Sequence, residues 1–263
     1  MHIEVNGIRV NYRVDGAGDR WVSFVTGIAN DLTMWDGQVA ALERDFRILR
    51  YDLRGHGGTQ ATKPPYTIDS LVRDLVALLD ALKIRRTQLV GLGLGGAIGQ
   101  AAAIGHPQYF PALAACCCRA RMVPEFAVMW HKLRETVSAN GVESIVEPTA
   151  QRWFSEEFKA ANPRVLEAVR SMIRGTSRDG YLGATAAFLG LDLEERLPRI
   201  AARTLYVSGA LDKIGGPPEL MRALAEKVPG ARHASVPGAA HIANIQNPAG
   251  FNRVLSAFLK EET

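Results

Sequence analysis

The chain opens with two short alternating stretches, residues 3–5 and 8–14, on either side of Asn6-Gly7. A period of two predicts half-buried strands, and Asn-Gly between them predicts a tight hairpin turn. Apolar runs follow at 21–25, 46–51, 88–92, 113–118, 204–208 and 233–236, each of strand length. The run at 88–92 suits a strand buried on both faces. Elsewhere the spacing changes to three and four: Leu71, Leu75, Leu78, Leu79 and Leu82 predict a helix over 68–82, with Asp69 or Ser70 as its cap. Residues 94–105, 218–228 and 248–259 are further helices, the first rich in Ala and Gly as close packing on a sheet requires. Strand and helix in alternation predict an α/β fold with a mostly parallel central sheet and right-handed crossovers.

Between 122 and 197 the rhythm is helical only, with breaks at Gly141, Pro148, Pro163 and Gly175. That stretch is too long for an ordinary connection. It reads as a helical cap of residues 122–197 inserted between two sheet strands, over a core formed by 1–121 and 198–263. With 263 residues and 47% hydrophobic composition, the chain can bury one sizeable core. The net charge of +4 is spread among interleaved acids and bases. Such a surface favours small anionic substrates and gives no sign of a nucleic-acid groove.

The first five residues lack the basic and apolar regions of a signal peptide, and no apolar run approaches the roughly 18 residues of a membrane span. The expectation is a cytoplasmic protein with no membrane partner; nothing in the sequence sets its oligomeric state. Cys116, Cys117 and Cys118 are consecutive on the predicted strand, so neighbours face opposite sides and build neither a disulfide framework nor a metal site.

The strongest chemical signal is the turn Val90-Gly91-Leu92-Gly93-Leu94-Gly95-Gly96, between a strand and a helix. Gly91, Gly93 and Gly96 satisfy the dinucleotide fingerprint G-x-G-x-x-G. The context opposes that reading. The fingerprint sits on the first strand–helix turn of its domain, whereas several strands precede this one, and the next strand ends in Cys116-Cys117-Cys118-Arg119 without a ribose-binding acid. The alternative is a nucleophile elbow, G-x-S-x-G, whose central serine is replaced by Gly93. Its flanking glycines leave no room for a Cβ at 91 or 95, and its centre takes a positive φ that glycine adopts without penalty. The elbow survives this replacement, but the nucleophile does not.

The remaining parts of an acyl-transfer site follow in the order acid, then histidine. Asp212 lies just past the strand at 204–208, and His241 lies on the loop after the strand at 233–236. A carboxylate there would hold one imidazole tautomer and stabilise the imidazolium. Backbone N–H groups of Leu94, after the elbow, and Ile28, after the third strand, are the candidate oxyanion donors. Trp35, Trp130, His131, Arg134 and Trp153 are candidate substrate contacts, although a surface or packing role competes for His131 and its neighbours. His56 reads as a structural turn residue and His106 as the end of a helix. Cys118 reads as a small buried apolar residue rather than a substitute nucleophile.

Several stretches carry a resemblance over essentially the whole chain: 31–36, 51–57, 91–100, Arg152-Trp153-Phe154, Gly180-Tyr181, 209–212 and 237–244. They resemble the 3-oxoadipate enol-lactonases and related small esterases of the α/β-hydrolase superfamily. That resemblance implies an α/β-hydrolase fold, and lactone or ester opening by serine attack and acyl-enzyme hydrolysis, without metal or cofactor. This chain departs from it at Gly93. Three readings of the departure stand: an otherwise complete hydrolase that has lost its serine and is impaired as written; a serine-independent enzyme in which His241 and Asp212 activate water or abstract a proton; and a non-catalytic small-molecule binding protein. The intact Asp212, His241 and oxyanion loop rank the first above the second, and the third last.

Overall fold

The computed structural model describes residues 1–261, so Glu262 and Thr263, the end of the predicted core stretch, lie outside the described residues. Strands β1 (His2–Val5) and β2 (Ile8–Asp15) form the opening hairpin. Asn6 and Gly7 both take positive φ, 48° and 74°, as a turn matched to the strand twist requires. The strands β3 (Arg20–Val25), β4 (Phe46–Tyr51), β5 (Gln88–Leu92), β6 (Ala112–Cys116), β7 (Arg203–Gly209) and β8 (Arg232–Val236) complete one eight-stranded sheet, ordered β1-β2-β4-β3-β5-β6-β7-β8. The β1–β2 and β2–β4 pairs are antiparallel and the rest are parallel. Every residue of β5 and β6 is buried, as in a sheet covered on both faces.

Helices α1 (Asp36–Leu42), α2 (Ile68–Ala81) and α3 (Leu94–Gly105) belong to the first half of the sheet. The apolar stripe of α2 is buried as its spacing predicts, but the cap is Thr67, not Asp69 or Ser70: its hydroxyl accepts from Ser70 N and the Ser70 hydroxyl accepts from Thr67 N. A threonine in extended backbone just before the first helical residue reaches the unpaired N–H that a residue inside the first turn cannot.

The strand predicted to run to Cys118 ends at Cys116. Cys117 turns away with φ 45° and its N–H donates to Val207 O on β7 at 2.7 Å, while Cys116 O accepts from Gly93 N at 2.9 Å. The cysteines therefore do not alternate along one strand.

Between β6 and β7 lie α4 (Pro124–Asn140), α5 (Glu143–Trp153), α6 (Glu156–Ala161), α7 (Pro163–Arg174), α8 (Arg178–Leu189) and a 3₁₀ turn (Glu194–Arg199). Pro148, predicted as a break, lies inside α5, which continues to Trp153. The insertion touches the sheet-end loops closely. Ser177 N donates to Gly55 O at 2.9 Å, and a Cβ at Gly180 would collide with the Gly55 carbonyl. After β7 come α9 (Pro218–Glu226), then β8, α10 (Ala243–Gln246) and α11 (Pro248–Lys260). Among the described residues no helix is long and apolar enough to cross a membrane.

Because β3, β5, β6, β7 and β8 run parallel, their C-terminal ends share one edge. The loops leaving that edge carry Ile28, Gly93, Cys117, Asp212 and His241.

Candidate active site

Gly93 stands between β5 and α3 with φ 60° and ψ −119°. The bend is held by close backbone packing: a Cβ on Gly91 would strike the Gly95 carbonyl, and one on Gly95 would strike the Val25 carbonyl. At Gly93 the situation is reversed. A Cβ there would find only Gly27 Cα and His241 Nε2, each at 3.9 Å, which is ordinary van der Waals contact. A hydroxyl one bond further on would come within hydrogen-bond reach of that nitrogen, roughly 2.6–3.2 Å.

The imidazole that faces residue 93 is held from behind. His241 Nδ1 lies 3.0 Å from Asp212 Oδ2. Asp212 Oδ1 accepts from Ile214 N at 2.9 Å and Gly215 N at 3.1 Å, and Oδ2 also accepts from Gly216 N at 2.9 Å. Burial works to raise this carboxyl, but the His241 ring and the loop N–H groups outweigh it and hold it down at about 2. An ionised carboxylate accepts only, so Nδ1 carries the proton and Nε2 presents a lone pair toward residue 93.

Gly215 completes the clamp. A side chain at that position would overlap the His241 ring, so only glycine lets the acid loop lie flat against the imidazole. The histidine backbone is also tied down, with His241 N donating to Trp153 O at 3.1 Å.

Ile28 and Leu94 sit on either side of Gly93 in the same pocket. Among the described residues neither N–H meets a protein acceptor. Ala29, next to Ile28, is held at φ 60°, a strained setting for a residue with a Cβ. The following Leu32 N donates to buried Asp52 Oδ1 at 2.6 Å, which fixes the far end of this loop. Two unpaired N–H groups beside a base form an arrangement able to receive a developing oxyanion.

The pocket above these groups measures about 660 Å³, counting its open mouth. The inserted helices contribute Phe126, Met129, Trp130, Arg152, Trp153, Tyr181 and Phe188 to its walls. Of the candidate substrate contacts, Trp130 and Trp153 line it. The other three do not. Trp35 is fully buried in the core, with its ring centroid 4.7 Å from Phe24 and 6.3 Å from Phe251. His131 is exposed, turned away on the outer side of α4. Arg134 is spent on Thr185 Oγ1, at 2.7 Å, and on the Leu182 carbonyl, which bind α4 to α8.

Arg152 is the cation that faces the pocket. It is half-buried, its nearest polar neighbours are Met129 Sδ at 3.8 Å and Thr149 Oγ1 at 3.5 Å, and among the described residues no carboxylate pairs with it. Burial lowers its pKa, since desolvation disfavours the charge, while nearby Tyr181 opposes that. In the sequence it stands out only through its place in Arg152-Trp153-Phe154, with no sign that it faces a site. The sequence reading passes over Gly215 and Gly216 as well; the signal for them is a pair of glycines three and four positions after the acid.

Cys117 and Cys118 also line the pocket, but burial pushes both thiols up, so neither offers a thiolate. His56 is fully buried, with Nδ1 3.0 Å from Arg54 O, outside the pocket, and His106 ends α3. Among the described residues no group of His, Cys, Asp and Glu is arranged to hold a metal ion.

A family model described as alpha/beta hydrolase fold matches residues 20–248. The chain is 30% identical to 3-oxoadipate enol-lactonase 2 of Acinetobacter baylyi over 254 residues, covering 96% of this chain and 94% of that protein. Its structure superposes on the enol-lactonase of Burkholderia xenovorans LB400 with a TM-score of 0.95 at 35% identity, over 99% of this chain and 100% of the other. A thermophilic esterase from Thermogutta terrifontis, solved with malate bound, matches with a TM-score of 0.93 at 28% identity, over 99% and 98% of the two chains.

Proposed function

The chain belongs to the α/β-hydrolase fold family, with hydrolases of the lactone and ester type as relatives, and from that premise we propose a site for small carboxylate-bearing lactones or esters that is worked by Asp212 and His241 without a side-chain nucleophile. The observation that carries this reading is the 3.9 Å between His241 Nε2 and a Cβ built at residue 93, with Asp212 hydrogen-bonded to the far side of the ring. Residues 122–197 act in it as the cap, and Arg152 supplies the charge that receives a carboxylate. That the Thermogutta esterase was solved with malate, a small acid, bound supports an acid-bearing ligand here.

No acyl-enzyme can form at a glycine. His241 takes a proton from the attacking water, and the carbonyl oxygen gains charge facing the Ile28 and Leu94 N–H groups. Loss of one triad member typically leaves about 10³–10⁴-fold catalysis over water, so turnover as written is impaired. The same base could instead abstract a proton next to a carbonyl, a reading favoured by the open access of Nε2 to the pocket.

The test is Gly93→Ser. Assayed on a panel of lactones and aryl esters, the variant is expected to gain at least about 100-fold in turnover, with a transient acyl adduct at position 93 seen by mass spectrometry. Tight binding without turnover by both forms would make the protein a receptor. Turnover by the chain as written that Gly93→Ser does not raise, and that His241→Ala abolishes, would favour the proton-abstraction reading.

A further inference from the structure

With no nucleophile bonded to the backbone at residue 93, the identity of the attacking group becomes a question of what fits beside His241. The answer rests on the hydrolase-type reading above. Around Gly93 there is room for a small group: among the described residues, and apart from its own chain neighbours, only Gly27 Cα and His241 Nε2 lie within 4 Å of a Cβ placed there, both at 3.9 Å. His241 Nδ1 is committed to Asp212, so Nε2 is the ring nitrogen left to accept a proton. The neighbouring walls, Ile28, Leu94, Trp153 and Phe188, are apolar and suit an alkyl group. Cys117 and Cys118 are the other potential nucleophiles lining the pocket, and both are buried thiols.

We propose that the space over Gly93 seats a mobile hydroxyl, and that the chain transfers acyl groups in a single step to a short primary alcohol as well as to water. The alcohol oxygen bonds to the acyl carbon as its proton passes to His241 Nε2. The carbonyl oxygen carries the negative charge of the tetrahedral intermediate against Ile28 N–H and Leu94 N–H. Collapse restores the carbonyl and breaks the bond to the leaving oxygen, which receives the proton back from His241. An ester plus an alcohol thus yields the ester of the added alcohol and the released alcohol, with no change of oxidation state. From a lactone, the leaving oxygen stays in the product as a hydroxy ester. A serine at 93 would fill the seat with its own oxygen and divide the reaction into two steps.

The experiment uses the full chain, p-nitrophenyl butyrate and graded methanol, with methyl butyrate measured by gas chromatography against a protein-free control. Methyl butyrate should form at least about tenfold above that control, rise with methanol toward saturation, and leave no acyl adduct on the protein. His241→Ala should reduce it to the control rate. Gly93→Ala, whose methyl group occupies the seat, should lose at least about tenfold while a melting curve shows it folded. tert-Butanol should give no ester. Equal methyl ester from Gly93→Ala would overturn the seat. Absence of methyl ester from the chain as written, beside an active Gly93→Ser variant, would overturn the mobile nucleophile and leave the hydrolase reading standing. If Gly93→Ser is inert as well, the hydrolase reading fails and this inference with it.

Discussion

At residue 93 the backbone sits where an L-amino acid with a side chain is strained by roughly 1–2 kcal/mol, and glycine removes that strain without disturbing the pinched turn around it. The chemical loss is thereby separated from the architecture: Gly91 and Gly95 hold the bend, Gly215 holds the ring, and residue 93 decides only what projects. A second residue makes the opposite use of burial. His56 is enclosed so completely that its pKa falls from 6.5 to about 4, desolvation outweighing the Arg54 carbonyl and the charge of Asp31. Its proton therefore binds the unfolded chain first. Stability from this source is full above pH 6.5, falls as pH drops toward 4, and then levels off. Between pH 7 and pH 5 the decline should be about 2 kcal/mol, read as a shift of the urea midpoint. His56→Gln should lose that decline, whatever its stability at neutral pH.

On the scale of elements, the loop carrying His241 is held by the insertion as much as by the sheet. Gln246, at the end of α10, accepts from Ala240 N at 3.0 Å and donates to Ser155 Oγ at 2.6 Å and Gly238 O at 2.9 Å. Trp153 O, at the end of α5, takes the His241 N–H. A small movement of the α5–α6 junction would thus move the base. Gln246→Leu in a Gly93→Ser background should lower kcat by about 10–100-fold while changing KM for a small neutral ester little, because misplacing the base by an ångström costs the transition state more than the ground state.

This coupling also marks where the sequence stops being legible. Strand and helix order, the hairpin and the elbow follow from period and glycine placement, which are local properties. Which residues of the inserted helices face the pocket does not. Only Val137 is fully buried on α4, so its pattern leaves the outward turn of His131 and the engagement of Arg134 with α8 open. Trp35, a candidate ligand contact from the sequence, instead fills the core between β3 and α11. Cys117 leaves its strand through a positive φ that no cysteine-rich run announces.

For the whole molecule, the pocket is a seam: sheet-end loops and inserted helices both line it, and Arg152 shares it with Ile28 and Leu94. A ligand spanning the two should stabilise both parts at once. A small carboxylate at a hundred times its Kd adds about 2.7 kcal/mol to the folded state. At about 2–4 °C per kcal/mol for a chain of this size, that amounts to a rise of roughly 5–11 °C in Tm. A single shifted transition is the expected result, and Arg152→Met should abolish the shift; a shift that persists in Arg152→Met would mean the carboxylate sits elsewhere.

A backbone hydrogen where other elbows carry a hydroxymethyl group also changes how the protein meets reagents. Organophosphorus probes tag serine hydrolases by phosphonylating that oxygen, and here they find no atom to bond to. Within a cell extract profiled in that way this enzyme fold would pass unlabelled, silent for a reason that lies in one side chain and not in the shape around it.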